Sequence, residues 1–190
     1  MGFVSILSQK SDKIVIFPRN KPFGTLFVID KSEYNYLKER RITMNFNNFT
    51  IKAQEAVQEA VNLTQAHNGQ VIEPIHLLQA VMKVGENVTK FIFQKLGVNG
   101  QQIVNVVARQ IESLPKVSGG NPYLSRESND VLQKAVQYSK EMGDEFVSIE
   151  PIILALLVVK STASSILKDA GVSEKELREA INELRKGERV

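Results

Sequence analysis

Ile72-Glu73-Pro74-Ile75 recurs 77 positions further along this 190-residue chain as Ile149-Glu150-Pro151-Ile152. A second match follows in the same order, because Leu96-Gly97-Val98 returns as Ala170-Gly171-Val172 after 74 positions. Chance similarity between unrelated helical segments would rarely produce both matches. The chain therefore contains an internal repeat. Since a single unit of about 70 residues buries little apolar surface, we expect the two units to share one core.

Each unit has the pattern of four short helices with recognisable ends. Thr50 and Ser125, 75 positions apart, are the expected N-caps of the first helix in each unit. Between the caps, apolar residues recur at helical spacing, and glycines or prolines mark the helix boundaries. The predicted fold class is all-α, with two pseudo-repeats of four helices. Repeat one spans about 50–114, a linker spans 115–124, and repeat two spans about 125–187.

Residues 1–43 differ from the rest of the chain in charge and in pattern. They carry a net charge of +4, whereas residues 44–190 carry −1. Two β-branched and aromatic runs, 14–17 and 25–29, flank a turn with two prolines and a glycine, which predicts a β-hairpin. A short helix is expected over 32–41. We interpret residues 1–43 as an N-terminal extension, either a loosely ordered hairpin or upstream read-through, and expect 44–190 to fold without it.

The composition excludes several classes of site. The chain has no cysteine, which excludes disulfides and thiolate chemistry, and its two histidines leave little for a zinc site. His76, between a proline and two leucines, is predicted to be structural. No phosphate-binding loop or hydrolase motif occurs, so we expect no enzyme activity, no cofactor and no metal. We expect no nucleic-acid partner, no membrane-spanning segment and a soluble, cytoplasmic protein.

Several stretches between residues 44 and 190 share their sequence with one known family. They are Asn48-Phe49-Thr50 with Ala53, Ala56 and Ala60, then 72–78, 114–119, 123–125, 143–150, 167–168, 171–172, and 185–187 with Val190. Through them, residues 44–190 closely resemble the Clp amino-terminal domain, specifically that of ClpB-type AAA+ disaggregases, which are stress-response chaperones. That family's domain is also two four-helix pseudo-repeats. Pro151 departs from the residue that many relatives carry after the acid.

The resemblance implies a substrate-recognition domain without catalytic activity of its own. It would bind unfolded or aggregated client proteins for ATP-driven threading by AAA+ modules absent from this chain. The full-length family member is a hexamer that cooperates with DnaK-type chaperones, and we expect the isolated chain to be a monomer. The alternative is a ClpC-like or stand-alone adaptor-docking module that binds one folded partner.

The resemblance also implies three substrate-binding residues, namely Thr50, Asp144 and Glu150. We expect both acids to be exposed, and all three residues to meet near a pseudo-twofold axis as one polar patch beside an apolar groove. The residues alone leave open a plainer interpretation, in which Thr50 is only a cap and the acids belong to a solvated loop and a helix start.

Overall fold

The computed structural model describes residues 4–7, 13–17, 27–30, 46–117, 122–188 and 190. The chain divides into two compact units, Met1–Asn45 and Phe46–Val190. The first unit contains a three-stranded antiparallel sheet in the order β1–β2–β3, formed by Val4–Leu7, Lys13–Phe17 and Phe27–Asp30. In this sheet Val15 pairs with both Ile6 and Val28.

The predicted hairpin corresponds to β2 and β3, and the structure adds β1, which the sequence did not predict. The four residues of β1 carry too short a pattern to distinguish a strand from any other apolar run. The helix expected over 32–41 lies outside the described residues.

The second unit confirms the all-α prediction of two four-helix repeats. The first repeat contains α1 (Ile51–Ala66), α2 (Pro74–Val84), α3 (Glu86–Lys95) and α4 (Gly100–Glu112). The second contains α5 (Arg126–Glu141), α6 (Ile149–Val158), α7 (Thr162–Asp169) and α8 (Glu174–Arg185). Two short strands, β4 (Val71–Ile72) and β5 (Tyr123–Leu124), precede α2 and α5.

The helix starts follow from side-chain chemistry at their first residues. The Thr50 hydroxyl accepts the Ala53 N–H at 3.2 Å, and the Ser125 hydroxyl accepts the Ser128 N–H at 3.1 Å. Both predicted N-caps are therefore confirmed. Gly97 and Gly171 have φ angles of 66° and 93°, so these positions after α3 and α7 need residues that tolerate the left-handed conformation.

The core of the second unit is shared between the repeats. Every residue of α6 except the last is buried, and this helix packs against α2, α5, α7 and α8. A helix that is apolar on all sides can only be stable when other elements surround it. Taken one at a time, no helix among the described residues is long and apolar enough to cross a membrane, and only α6 and α7 together, bent by 92°, reach that composition.

Two parallel backbone pairings tie the repeats to each other. Strand β4 pairs with β5, so that Ile72 lies opposite Leu124, and Phe49 forms a single bridge with Val147. In both pairings the segment before the first helix of one repeat lies beside the segment before the second helix of the other repeat. The two pairings correspond after a shift of 75 positions.

This shift agrees with the 75-position spacing of the two caps and not with the 77 positions that separate the two Ile-Glu-Pro-Ile sequences. The Ser125 N–H donates to the Ile72 carbonyl, and the Thr50 N–H donates to the Val147 carbonyl, so Val147 corresponds to Ile72. Ser148 then corresponds to Glu73, and both are N-caps. The four-residue match is out of register by two positions, because backbone pairing and not local identity sets the equivalence.

Candidate functional site

The two crossings between the repeats are equivalent in backbone but differ in side chains. We name them the Ser125 crossing, residues 71–76 with 123–128, and the Thr50 crossing, residues 48–53 with 147–151. In each crossing a capping hydroxyl begins a 16-residue helix, and the N–H of the cap donates to the neighbouring repeat. Differences between the crossings therefore come from the side chains that the two repeats place there.

The Ser125 crossing satisfies its polar groups internally. The Ser128 hydroxyl donates to the Ile72 carbonyl at 2.6 Å, and the Ser125 hydroxyl donates to the Ser128 oxygen at 3.1 Å. The Glu73 N–H donates to Nδ1 of His76 at 3.0 Å. Burial lowers the pKa of His76 to about 4, so the ring is neutral near pH 7 and its Nδ1 can accept this bond.

Glu73, the charged group of this crossing, is only partly buried, and it lines a separate cavity of about 330 Å³ together with His76 and Tyr123. Burial raises the pKa of Glu73, and a hydrogen bond with Ser125 acts in the opposite direction. The predicted structural role of His76 agrees with this geometry, because its ring completes the start of α2.

The Thr50 crossing keeps the backbone bonds but lacks the equivalent side chains. Ala53 occupies the place of Ser128, and Pro151 occupies the place of His76. The hydroxyl of Ser148, a residue only 7% exposed, makes no capping bond, and its oxygen is a buried atom without a hydrogen-bond partner. A buried hydroxyl without a partner costs free energy. This corner therefore has hydrogen-bonding capacity that the described part of the chain does not use.

Glu150 is a second unsatisfied group in this crossing. It is 7% exposed, and its carboxylate makes no hydrogen bond or ion pair with any of the described residues. The equivalent position in the first repeat is Ile75, a buried apolar residue. The fold therefore does not demand an acid at this position.

A groove of about 610 Å³ opens at the Thr50 crossing. It is lined by residues 50–52, 83–88 and 148–150, which are the starts of α1, α3 and α6 and the end of α2. Ile51, at the first position of α1, is 75% exposed on its rim. A Cβ on Gly85 would lie 2.8 Å from Cγ2 of Ile149, so only glycine lets the end of α2 approach α6 this closely without rearrangement.

The structure brings together two of the three predicted site residues. Thr50 and Glu150 line the same groove, whereas Asp144 does not. Nη2 of Arg185 donates to Oδ1 of Asp144, and the Val190 N–H donates to the same oxygen at 3.1 Å. The carbonyl of Val190 in turn accepts the N–H of Glu145 at 2.7 Å. Asp144 thus holds the residues that follow α8 against the loop between α5 and α6.

The expectation that both acids are exposed was wrong. The Asp144 side chain is 0% exposed, and Glu150 is almost as deeply placed. Local sequence shows that an acid lies in a loop or a first helical turn, but it does not show which distant elements cover it. Asp144 is covered by Arg185, which lies 41 residues further along the chain.

Sequence reasoning missed Ile51, Ser148 and Gly85. Ile51 does carry a signal, since it lies out of phase with the buried alanines 53, 56 and 60 and must point away from the core. Ser148 and Gly85 carry none, because their importance depends on contacts between different helices. No cluster of three or more metal-ligating side chains occurs within the described ranges.

Comparisons with known proteins identify the same architecture. Residues 48–170 match the Clp repeat (R) N-terminal domain. The chaperone protein ClpB of Bacteroides thetaiotaomicron is 79% identical over 147 residues, which cover 77% of this chain and 17% of that protein. The chain therefore spans about a sixth of the length of that curated relative.

Solved structures agree on the fold. The Hsp104 N-terminal domain from Candida albicans matches with a TM-score of 0.67 at 23% identity, covering 75% of this chain and 95% of that one. A ClpV N-domain in complex with a VipB peptide matches with a TM-score of 0.60 at 16% identity, covering 75% and 89%. At these identities the likeness shows the fold alone.

Proposed function

The chain belongs to the family of Clp repeat N-terminal domains, and from that premise we propose that it is the substrate-recognition domain of a ClpB-type disaggregase. In this proposal, unfolded or aggregated protein binds in the groove at the Thr50 crossing. Thr50 and Glu150 contribute to that groove directly. Asp144 lies outside the groove and holds the loop that precedes α6.

The observation that supports the proposal is the contrast between the two crossings. In the Ser125 crossing the serine hydroxyls bond to each other and to the Ile72 carbonyl. The Thr50 crossing instead combines an unpartnered Ser148 hydroxyl, an unpaired Glu150 and an exposed Ile51. Exposed apolar side chains beside convergent polar groups are typical of binding sites.

A shallow groove of this kind suits weak and permissive binding. An unfolded client must lose conformational entropy when a segment becomes ordered, and a small contact area offsets only part of that loss. We therefore expect modest affinity for single segments. Several such domains in a hexamer would raise the overall affinity through multivalency.

The remaining steps belong to parts of the protein beyond this chain. We propose that AAA+ modules of the same protein thread the captured client with ATP, in the cytoplasm and in cooperation with a DnaK-type chaperone. The chain itself would contribute recognition and no catalysis. Residues 1–45 form a separate unit, and we propose that Phe46–Val190 folds and binds without them.

The test is to remove the exposed apolar side chain of the groove. Ile51→Ser in the 190-residue chain should weaken binding of a reduced, carboxymethylated model client by about fivefold, since part of an isoleucine burial, about 1 kcal/mol, is lost. Fluorescence anisotropy with the labelled client measures this. Val117→Ser is the matched control, because Val117 is 48% exposed but lies outside the groove.

Equal affinities for the two variants would contradict the groove assignment. If the chain bound a folded adaptor protein but no unfolded client, the adaptor-docking alternative would replace the proposal. Thermal unfolding of both variants should be close to that of the wild type, because substitutions at exposed positions usually change stability by less than about 0.5 kcal/mol.

A further inference from the structure

We propose that the groove at the Thr50 crossing selects client segments in which a lysine or arginine lies beside an apolar side chain, and that Glu150 receives the cation. This inference rests on the proposed function, since it assumes that the groove binds protein. It goes further by stating which segments bind and which residue distinguishes them.

The basic side chains around the groove have ion-pair partners among the described residues, whereas the acidic side chains do not. Two lysines and two glutamates line it. Nζ of Lys52 lies 3.2 Å from Glu55, and Nζ of Lys83 lies 2.7 Å from Glu59, so each lysine already has an acidic partner outside the groove lining. Neither Glu86 nor Glu150 makes an ion pair with any described residue. The groove therefore presents uncompensated negative charge.

A structural role does not account for Glu150. An acid in the first turn of a helix is stabilised by the helix dipole, but an exposed side chain obtains this stabilisation as well, as Glu86 does at the start of α3. Glu150 is buried to more than nine-tenths, and its repeat equivalent is the apolar Ile75. The start of α6 therefore does not require a carboxylate at this position.

The position of Glu150 suits a charged ligand. Because low-dielectric protein surrounds most of the residue, a cation placed against it would interact more strongly than on an open surface. Its carboxylate oxygens are not fully buried among the described residues, and Glu150 lines the groove.

The rest of the groove supplies the complementary contacts. Ile51, Val84 and Val88 offer apolar surface for a side chain next to the cation. A segment with alternating basic and apolar side chains therefore fits the groove in both charge and polarity.

The experiment compares three labelled twelve-residue peptides that share one apolar sequence and carry arginine, glutamine or glutamate at a single position. The wild-type chain should bind the arginine peptide about fivefold or more tightly than the glutamine peptide, and the glutamate peptide most weakly. Glu150→Gln should remove the advantage of arginine over glutamine and leave the glutamine peptide unaffected. Added salt should reduce the preference.

Two further variants make the result specific. Glu141→Gln changes the net charge equally, at an exposed position outside the groove, and should keep the arginine preference. Glu150→Asp keeps the charge and should retain most of the preference. A circular-dichroism melt of each variant confirms that it is folded before its affinities are compared.

The outcomes separate the inference from the proposed function. If the peptides bind equally, or if Glu150→Gln keeps the arginine preference, the inference is wrong while the groove remains a binding site. If the glutamate peptide binds most tightly, the helix N-termini dominate recognition and the inference is again wrong. If no peptide binds but the unfolded client does, recognition by Glu150 of a short segment is excluded. If neither binds, the proposed function fails as well.

Discussion

At the Ser125 crossing a serine, a second serine and a histidine occupy the three positions where the Thr50 crossing has a threonine, an alanine and a proline. Each residue of the first set makes hydrogen bonds within the crossing: the serine hydroxyls bond to each other and to the Ile72 carbonyl, and Nδ1 of His76 accepts the Glu73 N–H. The second set leaves the Ser148 hydroxyl and the Glu150 carboxylate without partners among the described residues.

The contrast shows how a fold built from two repeats can use one crossing for stability and the other for binding. Both crossings hold the repeats together through the same backbone pairing, so either could have served stability alone. Only one needs to be open for binding. Unsatisfied polar groups reduce stability, and natural proteins keep them mainly where a ligand or partner uses them. The Ser125 crossing therefore serves as an internal control for every substitution at the Thr50 crossing.

The largest effect is expected at Asp144, outside both crossings. Asp144→Ala leaves the buried Arg185 guanidinium without its carboxylate, which should cost about 3–5 kcal/mol in the free energy of unfolding. Urea unfolding measures this. If the site is confined to the Thr50 crossing, the folded fraction of the variant should bind an unfolded client with normal affinity. If the variant were instead as stable as the wild type but no longer bound the client, Asp144 would belong to the binding site.

A somewhat smaller effect is expected from pH at the Ser125 crossing. Burial lowers the pKa of His76 from 6.5 to about 4, so between these values the unfolded chain binds a proton that the folded chain does not. Stability is then complete above pH 6.5 and falls as the pH drops, by roughly 3 kcal/mol once the pH is below 4.

The variant His76→Gln isolates this contribution of the crossing. The drop in unfolding free energy from pH 7.5 to 4.5 should be smaller in His76→Gln than in the wild type. Glu73, whose pKa burial raises, has the opposite effect on stability as it takes up a proton, and it is present in both proteins. Identical pH profiles for the two proteins would show that the histidine is not held neutral by the fold.

The smallest effect is expected from removing the two caps. Thr50→Ala and Ser125→Ala should each cost about 0.5–2 kcal/mol, because each removes a hydroxyl that accepts a helix N–H. Ser125→Ala should be the more destabilising of the two, since Ser125 also bonds Ser128. Only Thr50→Ala should weaken client binding. Equal losses of binding would mean that the two crossings do not differ in function.

Much of the helical architecture could be predicted from the sequence. The caps at Thr50 and Ser125, the glycines after α3 and α7 and the apolar spacing all act within one or two turns of the chain, so local sequence contains them. The resemblance to the Clp amino-terminal domain was confirmed by the comparisons. The substrate-binding roles of Thr50, Asp144 and Glu150 stay predictions.

The site itself was only partly predictable. Thr50 and Glu150 were expected to meet, and they line one groove. Asp144 was expected beside them, but it is enclosed by Arg185 and Val190. Ile51 was not considered, although its position out of phase with the buried alanines indicated exposure. Sequence spacing within a helix shows which residues share a face of that helix. It does not show which distant segments cover that face, and this is why Asp144 was misplaced.

The sequence by itself determined the two-repeat helical fold, the helix boundaries and the family, because these depend on capping, periodicity and motif order. Only the tertiary structure decided the register between the repeats, the burial of the two acids and the difference between the crossings. The register is 75 and not 77 because hydrogen bonds between segments far apart in sequence set it. Whether a polar group is satisfied or left open depends likewise on residues 40 to 100 positions away, and local spacing carries no information about them.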